Sequence, residues 1–155
     1  MNQGVPRQYL ETQILTAPKE ELLLMLFDGA IRFCEQGKDC INEKDIEGAH
    51  NFLMRAQKIM LELVAALDKN ALDEKLYKNL TGLYLFVYRR LVHANVRHDI
   101  DAIDEALKIL NSLRQTWGEA VEKARQEGVL GKGAEALPGQ SPTTTTQTGL
   151  VNFQA

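Results

Sequence analysis

From Pro18 to about residue 127 the apolar residues recur every three to four positions, and no stretch alternates every two. No Asn-Gly or Asp-Gly pair separates β-branched runs, and Asp28-Gly29 sits inside a helical pattern. The chain is therefore expected to be all-α. The first helix starts near Pro18, a residue tolerated in a first turn, with Glu20 and Glu21 at the positive end of its dipole, and runs to about Gly37. It carries two stripes, Leu22-Met25-Leu26-Gly29-Phe33 and Leu23-Leu24-Phe27-Ile31-Cys34, so its first half is apolar almost all round.

The second helix is entered at Asp45, a good N-cap, and stops near Asp68-Lys69-Asn70. Its stripe is Ile46, Ala49, Leu53, Ala56, Met60, Leu63 and Leu67, widened by Phe52, Ile59 and Ala66. The third spans roughly 73–97, with an inner row of Leu76, Leu80, Leu83, Val87 and Leu91 beside Tyr77, Tyr84 and Tyr88. The fourth is capped by Asp99 or Asp101 and carries Ile103, Ala106, Leu107, Leu110, Leu113, Trp117 and Val121. Short links near 38–45, 68–73 and 97–100 make successive helices antiparallel neighbours. The expected architecture is an antiparallel up-down-up-down four-helix bundle over 17–127, preceded by a segment at 1–16. Residues 128–155 hold five glycines, two prolines and five threonines, and are expected to be a disordered tail.

Several function classes are disfavoured at once. The net charge of −3 argues against a nucleic-acid partner. The longest apolar run, Leu22–Phe27, is far short of the roughly 20 residues of a spanning helix, and the first residues lack a signal-peptide core. Cys34 and Cys40 match no zinc or redox spacing, and a reducing cytosol is the expected compartment. No nucleophile–base constellation or phosphate-cradling loop is visible, so the chain is not expected to be an enzyme or to need a cofactor. Two chemical readings stay open. His93, in the middle of the third helix, suits a phosphotransfer domain, although the lysine and glycine that usually follow such a histidine are replaced by Ala94-Asn95-Val96-Arg97. Glu47 and His50 form a Glu-x-x-His unit of the kind used in di-iron bundles, but neither His93 nor His98 supplies the second unit.

What the composition leaves over is apolar surface. A bundle helix needs one stripe, and the first three helices offer more, which points to a groove for an amphipathic partner segment. The groove is expected between the second and third helices and near the start of the first, from Ala56, Met60, Leu63, Val64, Leu67, Leu80, Leu83, Tyr84 and Val87. Met25, Met54 and Met60 can supply an adaptable lining. The segment Tyr9-Leu10-Glu11-Thr12-Gln13-Ile14-Leu15 reads as a tethered lid, and Leu150, Val151 and Phe153 as a second candidate cover.

Several stretches stand in a telling order and spacing: Tyr9-Leu10-Glu11-Thr12-Gln13, Thr16-Ala17, Leu22–Gly29 continued by Ala30-Ile31-Arg32-Phe33, Leu83-Tyr84, Arg89-Arg90-Leu91, Ala94-Asn95, Asp99, Leu113-Arg114 and Trp117. Together they resemble the flagellar secretion chaperone FliS family. Phe27 stands where the family more often has tyrosine, and Leu85-Phe86-Val87 where it often has Asp-Tyr-Met. The resemblance implies a cytosolic, non-catalytic four-helix chaperone. Such a protein binds the disordered C-terminal region of flagellin, which folds as it wraps the bundle, stays unpolymerised and remains competent for export. The resemblance also implies that Tyr9 belongs to a segment lying over part of the binding surface. It implies further contacts with export-gate or regulatory proteins.

Overall fold

The computed structural model describes residues 19–128. The lid residues Tyr9, Leu10 and Ile14, and the tail with Leu150, Val151 and Phe153, lie outside the described residues. Within them the chain forms four helices and no strands: α1 (Lys19–Asn42), α2 (Ile46–Ala66), α3 (Glu74–Arg97) and α4 (Ile100–Gln126). Three aspartates start three of them. Asp45 Oδ1 accepts from the Gly48 N–H at 2.9 Å, Asp73 Oδ2 from Leu76 at 3.3 Å, and Asp99 Oδ1 from Ala102 at 3.3 Å. Each satisfies a backbone donor that has no partner within its own helix.

α1 is longer than its sequence pattern suggested. It passes through Gly37 and ends at Asn42, which shrinks the link to three residues, Glu43, Lys44 and Asp45. Glycine costs an isolated helix about 1 kcal/mol, but here the missing side chain is what lets Leu53 of α2 lie against α1. A Cβ on Gly37 would sit 2.9 Å from Leu53 Cγ and Cδ2. Lys44 (φ 62°) and His98 (φ 55°) adopt the left-handed conformation that reverses the chain after α1 and α3.

Each helix packs against two neighbours, so α1 lies beside α2 and α4, and α3 closes the square between them. The centre is filled by Leu23, Phe27, Leu53, Met60, Leu63, Tyr84, Val87, Leu91, Ile103 and Leu110. Burying such side chains stabilises by roughly 1.5–3 kcal/mol each relative to leaving them in water. Ion pairs tie α4 to both neighbours: Asp28–Arg114 at 2.8 Å and Lys38–Asp104 at 2.7 Å to α1, and Arg90–Glu105 at 2.7 Å to α3. They are partly exposed, and such pairs contribute on the order of 0–1 kcal/mol each. No helix among the described residues is long and apolar enough to cross a membrane.

Candidate functional site

The seam between α2 and α3 is built from neutral groups. Gln57, buried on α2, accepts through Oε1 from Asn95 Nδ2 of α3 at 3.3 Å. Asn95 Oδ1 lies 3.3 Å from His50 Nδ1, back on α2. The Gln57 amide also approaches Met54 Sδ at 3.6 Å. This relay holds the register of the two helices, and a buried amide left unpaired there would cost about 1–3 kcal/mol. It also accounts for His50, which the sequence offered as half of a metal site. Among the described residues no group of three or more metal-ligating side chains is assembled.

Outside the relay lies a depression of about 410 Å³, lined by Asn51, Met54, Arg55, Gln57, Lys58 and Leu61 of α2 and by Tyr88 of α3. Met54 and Leu61 are each 45 % exposed. They stand seven residues apart, two helical turns, and therefore share one edge of α2. Leu85 precedes Tyr88, and Val92 and Val96 follow it, at helical spacing on the facing edge of α3, and Val96 is 70 % exposed. The result is an apolar strip with a polar rim, the form that accepts an amphipathic segment.

A larger depression, of about 500 Å³, lies between α1 and the end of α4. It is lined mainly by charged and polar side chains such as Arg114, Glu119, Glu122 and Lys123. Arg114 is already paired with Asp28 there. The large apolar lining residues of this depression are Leu24, half-buried, and Val121, buried, and neither stands out from the surface as Met54 and Leu61 do.

The residues expected to form the groove divide sharply. Ala56, Met60, Leu63, Tyr84 and Val87 are 0 % exposed and belong to the core, as does Leu67 at the end of α2. A partner cannot touch them in this structure, and this corrects the expected lining. Val64 and Leu80 are half-buried against that core. Leu83 is exposed, but it stands seven residues before Arg90, which pairs with Glu105, and so lies on the α4 edge of its helix rather than the α2 edge. The depression between these two helices is lined by their outer rows. Leu61, Tyr88 and Gln57 were missed as lining; Met54 was named only for its adaptability. Their signal is visible in the sequence as Met54 and Leu61 interrupting the otherwise polar face of α2.

His93 is exposed on α3, with Nε2 3.2 Å from Asp99 Oδ2. The Ala102 N–H at the start of α4, helped by the Asp101 N–H and by His93, holds the Asp99 carboxylate below its ordinary range. The His93–Asp99 contact joins α3 to the start of α4, which gives His93 a structural role.

Residues 1–124 match the model of a protein family described as flagellar protein FliS. The chain belongs to the FliS family. Among its relatives, the flagellar secretion chaperone FliS of Bacillus subtilis (strain 168) is 30 % identical over 119 residues, covering 77 % of this chain and 87 % of the relative. That of Campylobacter jejuni is 32 % identical over 111 residues, covering 72 % and 86 %. That of Salmonella typhimurium is 31 % identical over 116 residues, covering 74 % and 85 %. The all-α bundle and the FliS assignment both agree with what the sequence led one to expect, and a FliS-type chaperone has no need of a catalytic centre.

Proposed function

We propose that this FliS-family chain is a cytosolic export chaperone whose α2–α3 groove receives the C-terminal region of flagellin. The observation that supports this best is Met54 and Leu61 standing exposed beside Tyr88, above an amide relay that already satisfies the polar groups beneath them. A segment that is disordered when free loses conformational entropy on docking, so it needs a long apolar strip even for moderate affinity. Moderate affinity is what an export chaperone requires, because its cargo must later leave. Coating the cargo's apolar face also removes the surface by which it would polymerise.

The expected lid residues Tyr9, Leu10 and Ile14 lie outside the described residues, and the proposal gives them the role of competing with the cargo. Titration calorimetry with a peptide of the flagellin C-terminal region tests the binding. The expected result is a dissociation constant near ~1 µM, about −8 kcal/mol, with a negative heat-capacity change. No heat at tens of micromolar overturns the proposal. Deleting residues 1–15 should tighten binding, because a self-docked segment reduces the competent fraction.

A further inference from the structure

We propose that the seam between α1 and α2 carries a second docking station, an aromatic pair clamped by two arginines, which takes a carboxylate of the protein segment seated in the α2–α3 groove. This deepens the function proposed above and rests on it.

Phe33 of α1 and Phe52 of α2 stack with centroids 6.2 Å apart and planes inclined by 25°. Two guanidinium groups lie over them. Arg32 Cζ is 5.1 Å from the Phe33 centroid, while Arg55 Cζ is 5.7 Å from Phe33 and 5.9 Å from Phe52. Both arginines are exposed, and both rings are half-buried. A guanidinium held by a ring face keeps its N–H edges free for an oxygen acceptor, and its planar fork matches a carboxylate.

Among the described residues neither cation is neutralised. Arg90, Arg114 and Arg125 each reach a carboxylate, on Glu105, Asp28 and Glu21 respectively. No carboxylate among the described residues lies within ion-pair distance of Arg32 or Arg55. Two like charges sharing one phenyl ring repel each other, and an arriving anion relieves that repulsion. The ring pair lowers the motional freedom of both side chains, so less is lost when they bind.

Arg55 also borders the α2–α3 depression. It therefore stands on the α2 ridge between the two surfaces, and a segment leaving the groove across α2 meets Arg55 before Phe52 and Phe33. The occupant is thus an apolar segment followed by an acidic side chain. A nucleic acid would use the same cations but would approach a chain of net charge −3.

The test uses the full chain, ¹⁵N-labelled, with the flagellin C-terminal segment as probe, at about 50 and about 300 mM NaCl. The Nε–Hε signals of Arg32 and Arg55 should shift on binding. The variant R32Q/R55Q should bind about tenfold more weakly with a flatter salt dependence. R32K/R55K should recover only part of the loss, and K108Q, which removes an exposed cation on α4, should change nothing. If R32Q/R55Q binds like the parent with the same salt response while the Met54 and Leu61 amides shift, the groove stands and the second station falls. If no signal shifts at all, both fall together.

Discussion

Trp117 of α4 donates its indole Nε1–H to the hydroxyl of Tyr84 on α3 at 3.0 Å, in the interior of the bundle. The Tyr84 ring also meets Phe27 of α1 edge-on, with centroids 6.0 Å apart and planes at 74°. One tyrosine thus joins three helices, and burial pushes its hydroxyl well above the ordinary phenol range. Replacing Tyr84 with Phe strands the Trp117 N–H in an apolar surrounding. The expected cost is about 1–2 kcal/mol in urea unfolding. A double-mutant cycle with Trp117→Phe should show coupling; simple additivity would mean the bond contributes nothing.

Met60 and Met54 lie six residues apart on α2 but on opposite sides of the core boundary, the first fully buried and the second exposed. Met60→Ala should destabilise the bundle by about 2–5 kcal/mol through the cavity it leaves. The pair M54E/L61E should leave the melting temperature nearly unchanged yet weaken cargo binding by about tenfold or more, since each charge must be desolvated on docking. Loss of binding in the first variant under fully folded conditions, or normal binding in the second, would place the groove elsewhere.

Gly37→Ala is expected to destabilise by about 1–3 kcal/mol despite the better helix propensity of alanine, because the added methyl overlaps Leu53 at its branching carbon. Gly29→Ala meets only the far end of Ile59 at 3.2 Å and should cost less. Thermal melts of the two variants side by side decide the point.

His98 closes α3 with φ at 55°, a conformation that costs an L-residue energy and glycine almost none. His98→Gly should therefore raise stability by about 0.5–1 kcal/mol. A stability loss in denaturant unfolding would show that the imidazole makes a stabilising contact the backbone gain does not offset.

Burial, with a smaller contribution from Glu35, pushes the Cys34 thiol up from 9.0 to about 12. Below pH 9 both folded and unfolded chains keep the proton, and the stability is fully present. As pH rises from 9 towards 12 the unfolded chain ionises first and the folded state loses stability. Cys34→Ala should flatten this alkaline limb at a cost in baseline stability. An unchanged limb would assign it to other groups.

The amino-acid order alone determined the four helices and their antiparallel course, and it offered Asp45 as one cap and Asp99 as one of two candidates for another. Those features depend on residues within a few positions of one another: Asp45, Asp73 and Asp99 each cap a donor three residues on. It also signalled an apolar surplus, which the exposed Met54, Leu61 and Val96 bear out. Which row of α2 and α3 turns inward was decided only by tertiary packing. A helix with a broad apolar arc can rotate about its axis with little change in its own energy, and its neighbours choose the rotation. Tyr84 looked like a groove residue until Trp117, thirty-three positions later, satisfied its hydroxyl inside. Gly37 looked like a helix end until Leu53 filled the space above it. In both cases the deciding partner is distant in the chain, and no local period carries its signal.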